Sequence, residues 1–319
     1  MAADGPVLVL GGGAARALAH LGVFAGLEAH GVRPKAIVGT SMGAILGAAY
    51  AVKPDASALI AAVAELLQSE RFGELRKAFL KETKRRRGGL VYSVRNLVRR
   101  GVAYGSSTLQ PTLVSAEAFA DSMGALIPPG DLTDSEIPFR AVALDIDSGE
   151  EIVMRRGDRR LACRASAAIP GVLPSVERNG RTLIDGGWID KVPILPARAE
   201  YSGPLLAVDI TEDIDKHDGP MDGLDMFVRA NAIRDARLID WVLRAADLAI
   251  EPAVKDVHWA DFGAIERCVK AGREAVEHGW SAWEGAARSR RLRDLWPGRA
   301  ARRRANARRT AEALGIRWD

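Results

Sequence analysis

Residues 36–52, AIVGTSMGAILGAAYAV, carry no charge and change character halfway along. Ala36 to Thr40 reads as a short buried strand, and Ala44 to Val52 as an apolar helix ended by Pro54. Only Gly39-Thr40-Ser41-Met42-Gly43 marks the change. A strand that becomes a helix over so few residues must bend sharply, and glycines two before and two after Ser41 leave room for a strained backbone. The uncharged run is slightly short for a membrane span of ~20 residues and has the serine turn inside it, so a buried strand–turn–helix explains it better. Ser41 is then either a nucleophile on a strained elbow or a serine in a tight, well-packed bend. Only a partner able to take its proton makes the first reading work.

The flanking sequence fits the same architecture. PVLVL (6–10) is a short apolar strand, and the glycine loop after it feeds a helix with Leu18, Leu21, Val23 and Leu27 on one face and Gly31 as its stop. Segments 138–147 and 150–157 read as a strand pair around Ser148-Gly149. RLACRASAAIP reads as a short helix stopped by Pro170, 182–187 and 203–211 as further strands, and most of 222–280 as helix. Strands alternating with helices predict an α/β fold: a mostly parallel central sheet with helices on both faces. Among 319 residues, 48% hydrophobic, there is no internal repeat and no Ser/Gly/Pro-rich linker. The expected organisation is one domain of catalytic size over 1–285 and a basic tail over 286–319.

A net charge of +4 conceals two basic stretches, 76–100 with Lys84, Arg85, Arg86 and Arg87, and the tail from Arg288 to Arg309. Such clusters hold phosphates of lipid headgroups or nucleic acid, or form a solvated helix face. The tail has only Trp296 and Trp318 as aromatics and no binding motif, so no nucleic-acid partner is expected. Cys163 and Cys268 form neither a metal spacing nor a disulfide framework, which fits a reducing compartment. The first residues lack a basic region followed by a long apolar one, so no signal peptide is expected and a cytoplasmic location is.

Two more places carry chemistry. Gly11-Gly12-Gly13-Ala14-Ala15-Arg16-Ala17 follows the first strand. Arg16 replaces the third glycine of a dinucleotide loop, and no acidic residue ends the next strand, so a dinucleotide site is disfavoured. An oxyanion hole fits better, because glycines let amide N–H groups approach a developing alkoxide; a simple strand–helix turn is the bland alternative. Asp185-Gly186-Gly187 ends another apolar strand. Gly13, Ser41 and Asp185 would all lie beyond the carboxyl ends of parallel strands, where functional groups of such sheets collect. Of the five histidines, His20, His30, His217, His258 and His278, only His258 and His278 come late enough to follow the acid, and neither sits after a clear strand. The other arrangement is a dyad in which Asp185 takes the serine proton directly, its basicity raised by a partly dehydrated pocket.

Together, GGGAARALAHLGV, VGTSMGAILGAAYA and LIDGGWIDKVPI resemble, in this order, the glycine loop, serine elbow and D-G-G aspartate of the patatin-like phospholipase family. ASAAIPGVLPSV (165–176) is also similar to bacterial members, and the likeness covers about residues 6–275. The resemblance implies a patatin-like three-layer α/β fold with a Ser/Asp dyad and no catalytic histidine. It makes Ser41 the nucleophile and Asp185 the base. It places Gly12, Gly13 and Ala14 in the oxyanion hole, supported by Gly11, Arg16, Gly39, Met42, Gly43, Gly186 and Gly187. The implied substrate is a fatty-acyl ester, phospholipid or lysophospholipid, with no metal or cofactor, and with 76–100 bringing the site to an anionic membrane surface. Ala14 and Ala17 stand where the family pattern has glycine, which motivates an alternative: a catalytically weak lipid-binding or regulatory protein.

Overall fold

The computed structural model describes residues 5–73, 75–77, 114–214, 219–294 and 298–319. Its first half runs β1 (Val7–Leu10), α1 (Ala19–Ala29), β2 (Ala36–Thr40), α2 (Met42–Val52), α3 (Ala56–Gln68), α4 (Ala116–Leu126), β3 (Phe139–Asp145) and β4 (Glu151–Met154). There follow α5 (Arg159–Ser166), β5 (Val176–Arg178), β6 (Arg181–Asp185), α6 (Ile194–Glu200), β7 (Leu205–Val208), α7 (Gly223–Leu243), β8 (Leu248–Ile250), α8 (Ile265–Asp294), α9 (Arg299–Ala313) and β9 (Ile316–Trp318). Helix starts are chemically marked: Asp55, Ser115 and Asp158 accept from the amides of Ala58, Ala118 and Leu161 at 2.8, 3.1 and 2.7 Å.

The centre of the sheet is parallel, in the order β8-β7-β1-β2-β3. Strands β4 and β6 are both antiparallel to β3, and their registers decide where each can lie. β4 pairs with Ala141 to Leu144, overlapping the residues that pair with β2 and those that pair with β6. β2 and β6 must therefore share the other edge of β3, end to end, with Thr40 opposite Val142 and Asp185 opposite Ala143. Their carboxyl ends meet head on.

Side-chain alternation separates two apolar layers. Leu8, Leu10, Ile37 and Phe139 face one layer with α1 and α2, while Val7, Val9, Val38 and Val142 face the other with α6. α1 and α8 cross closely enough for Gly22 and Gly272 to be obligatory: a Cβ at either would lie about 2 Å from a backbone oxygen of the other helix. The expected mostly parallel sheet with helices on both faces is what the chain forms.

Most of 222–280 is helical as expected, with β8 and the loop after it between α7 and α8. Residue 285 lies within α8, and towards the end of the basic stretch β9 pairs in parallel with β4, with Ile316 buried. Arg308 lies over the Trp318 ring at 3.4 Å, so part of the tail's charge covers apolar surface rather than solvating a free end. Of the stretch 76–100, only Arg76 and Lys77 are among the described residues, and His217 is not. Replacing Ile316 by alanine is expected to lower the unfolding free energy in urea by about 2–4 kcal/mol, as for a core residue; a free tail would give no change.

Candidate active site

Ser41 sits between β2 and α2 with φ 57° and ψ −127°, a conformation that costs a non-glycine residue ~1–3 kcal/mol. The surroundings hold it there. Its carbonyl accepts from the amides of Ala44 and Ile45, opening α2, and its amide donates to Ser166 Oγ at 2.9 Å. Ser166 Oγ donates in turn to the Val142 carbonyl at 2.6 Å, so a fully buried hydroxyl ties the elbow to β3. The flanking glycines answer to space: a Cβ on Gly39 would lie 2.6 Å from the Gly43 carbonyl oxygen, and one on Gly43 2.6 Å from that of Leu10.

Ser41 Oγ donates to Asp185 Oδ2 at 2.6 Å. Asp185 Oδ1 accepts from the Gly187 amide at 2.7 Å, and the Asp185 amide donates to the Ala168 carbonyl at 3.0 Å. Ser166 and Ala168, two residues apart at the end of α5, thus each grip one member of the pair. Burial pushes the Asp185 carboxyl up to about 6, against the downward pull of the Ser41 and Gly187 hydrogen bonds and the Lys191 charge. Gly186 is forced by the seam itself: a Cβ there would stand 2.4 Å from the Val142 carbonyl oxygen.

The glycine loop reaches the same sheet edge, but its amides divide. Gly11 N–H donates to Val208 O at 3.2 Å, Gly12 N–H to Lys191 O at 2.9 Å, and Ala15 N–H to Trp259 O at 2.8 Å. The Gly12 hydrogen is therefore already committed to a carbonyl of the protein. The part of Gly12 is steric, since a Cβ would lie 3.2 Å from Ser41 Cβ. The amides of Gly13, Ala14 and Met42 have no partner among the described residues. Ala14 adopts φ 48°, so the alanine takes the left-handed conformation that glycine would take more cheaply. Arg16 braces the loop from outside, through Glu212 at 3.1 Å and the Val257 carbonyl at 3.4 Å.

No described histidine hydrogen-bonds Ser41. His20 is fully buried with Nε2 2.8 Å from the Gly11 carbonyl oxygen, and burial lowers its pKa to about 4; as the neutral ring it supports the loop by donating from Nε2. His30 stacks on Trp280 and meets Glu277, His258 Nδ1 accepts from the Ala260 amide, and His278 lies along α8. Among the described residues no group of three or more His, Cys, Asp or Glu side chains could hold a metal ion.

From Ser41 a narrow apolar cleft, open at its mouth, runs between α2, α3 and α4. Met42, Ile45, Phe72, Phe119, Met123 and Phe262 form much of its wall. Neither the cleft nor the Ser166–Ala168 grip was foreseen. ASAAIPG marked the second by likeness alone, whereas the cleft is assembled from helices whose spacing in the sequence carries no common signal.

The sequence model of a family described as patatin-like phospholipase matches residues 8–198. An NTE family protein of Mycobacterium bovis is 30% identical over 294 residues, covering 84% of this chain and 45% of that protein. Lysophospholipase NTE1 of Candida glabrata is 24% identical, covering 84% of this chain and 15% of its own length. The crystal structure of VipD from Legionella pneumophila is 14% identical with a TM-score of 0.42, covering 89% of this chain and 67% of that one. The chain spans about half the length of the first of these relatives or less.

Replacing Ser166 by alanine leaves the Ser41 amide and the Val142 carbonyl without their partner. The expected cost is ~1–3 kcal/mol of unfolding free energy in a urea titration, with slower labelling of Ser41 by a fluorophosphonate probe. Unchanged labelling would mean that the elbow holds without this strut.

Proposed function

The chain belongs to the patatin-like phospholipase family, and we propose that it is a serine hydrolase of lipid fatty-acyl esters working through a Ser41/Asp185 dyad. The observation that carries this reading is the 2.6 Å hydrogen bond from Ser41 Oγ to a buried carboxylate at the mouth of an apolar cleft. A carboxylate of ordinary pKa is a poor base for an alcohol. Burial brings Asp185 nearer the range in which it takes a proton in one step and returns it in the next.

The steps follow from the placement. Asp185 Oδ2 takes the hydroxyl proton as Ser41 Oγ attacks the ester carbonyl carbon. The negative charge that develops on the carbonyl oxygen is met by the Gly13 and Ala14 amides, with Met42 at the amino end of α2 supplying a further donor and the helix dipole. The C–O bond to the alcohol breaks, the alcohol leaves with the proton from Asp185, and the acyl group remains on Ser41. Asp185 then takes a proton from water as that water attacks the acyl carbon, and gives it back to Ser41 as the fatty acid leaves. The cleft walls desolvate the acyl chain. A phospholipid or lysophospholipid is the proposed substrate, in keeping with the lysophospholipase name of the yeast relative. Ala14 keeps its amide unbonded beside Ser41, which supports turnover over the lipid-binding alternative. Among the described residues no helix is long and apolar enough to cross a membrane.

Hydrolysis of an ester series of increasing acyl length tests the reading. Ser41→Ala and Asp185→Asn are each expected to reduce kcat by about 10³-fold or more while leaving the fold intact. If Asp185→Asn stays active while Ser41→Ala does not, the base lies elsewhere. The pH profile is an independent check. Asp185 works deprotonated, so kcat/KM should plateau above a pKa near 6 and fall about tenfold per unit below it; a flat profile down to pH ~4 would exclude Asp185 as the base.

A further inference from the structure

Helix α7 has 21 residues, some 30 Å by its rise, yet among its described residues only Ile239 is buried, with Val242 and Leu243 partly packed beside it. The outward side exposes Met226, Phe227, Ile233, Leu238 and Trp241, with Phe227 and Trp241 at 67% and 65%. At the helical repeat these five, with Ala230, fall in one arc of about 140° centred on Ala230 and Trp241. Arg234, Arg237 and Arg244 are exposed in the same arc. The acids segregate: Asp225 and Asp235 turn toward the body and are half-buried, and only Asp240, at the edge of the arc, is exposed. The face is apolar, aromatic at both ends and basic between.

Position matters as well. β7 and β8 are adjacent and parallel, so the chain between them must return across the sheet, and α7 is the element that does so. Its amino end, with Met226 and Phe227, therefore lies toward the sheet edge that carries Gly13, Ser41 and Asp185. Trp188 and Ile189, directly after the aspartate turn at that edge, are also exposed.

We propose that the outward face of α7 docks on an anionic lipid bilayer, lying in the interface with its apolar residues among the acyl boundary and its arginines at the headgroups. The proposal rests on the lipid-hydrolase reading for its use, since docking would hold the cleft mouth beside its substrate. A second copy of the chain is a poorer occupant: pairing this helix antiparallel with itself would bring Arg234 and Arg237 against their own counterparts.

Co-sedimentation of the full chain with vesicles of phosphatidylcholine alone, or mixed with phosphatidylglycerol, tests this. It is run for the wild type, the triple variant Phe227→Ser/Leu238→Ser/Trp241→Ser, and the triple variant Arg234→Gln/Arg237→Gln/Arg244→Gln. The wild type should bind the anionic vesicles, the first variant at least about tenfold more weakly, and the second should lose the preference for phosphatidylglycerol. Hydrolysis of a soluble short-chain ester should be equal in all three. Equal vesicle binding by wild type and the serine variant, or no wild-type binding, overturns the proposal. So does a concentration-dependent dimer of the wild type that the serine variant abolishes, which would assign the face to a second copy. Vesicle binding without any ester hydrolysis would sink the hydrolase reading and leave the docking surface standing.

Discussion

The edge of β3 is occupied by two strands in succession, and the site depends on where they meet. β2 arrives in parallel and stops opposite Val142; β6 arrives from the other direction and stops opposite Ala143. Two chain ends converging on neighbouring residues of one strand have to turn away at once. One turns through Ser41 into α2 and the other through Gly186 into a short turn that leads to α6. The hydrogen bond between Ser41 and Asp185 is the direct result of that register. Shifting β6 by one residue would move Asp185 along the strand and to the opposite face of the sheet. The reason the two motifs need glycine is the same crowding, seen in the clash a Cβ on Gly186 would make with the Val142 carbonyl.

Loop 186–192 carries the arrangement from the Ser41–Asp185 pair to the glycine loop. The Asp190 carbonyl accepts from Thr40 Oγ1 at 3.0 Å, and the Lys191 carbonyl accepts from the Gly12 amide at 2.9 Å. Glu151 of β4 is buried, and its carboxyl is pushed well above the usual carboxylate range by burial and by the charge of Asp190 in this loop. The loop thus serves three strand ends at once. The aspartate, the serine strand and the glycine loop are fixed relative to one another by carbonyls of this loop, through the Thr40 hydroxyl and the Gly12 amide.

Much of this was legible in the sequence, because local chemistry wrote it there. GTSMG between a strand and a helix, GGG after a strand and DGG after another each encode a backbone event, and such events tie residue type to conformation. The parallel order could be expected from the alternation of elements. What the sequence could not carry was long-range. Ser166 is an ordinary serine in a short helix until the fold brings it under Ser41, 125 residues away. The tail reads as excess arginine, yet Ile316 and Trp318 pair it into the sheet through a strand too short to show a period. Gly12 is of the right type for a close approach to Ser41, and nothing local in the sequence shows that its amide donates to the carbonyl of Lys191 in a distant loop.

Subtracting the claimed amides leaves those available to the proposed oxyanion hole. Along 11–16, the hydrogens of Gly11, Gly12, Ala15 and Arg16 all point at carbonyls of the protein. Gly13 and Ala14 remain, and they are consecutive. In the proposed hole Ala14 contributes its N–H, which an alanine retains, and it does so from a backbone at φ 48°. Left-handed backbone costs an alanine ~1–2 kcal/mol relative to its preferred conformations. That cost falls on stability, while the N–H keeps its direction. The methyl itself sits in the wall of the apolar cleft, where an acyl chain would cover it. Alanine at this position departs from the glycine pattern and is still consistent with a working hole.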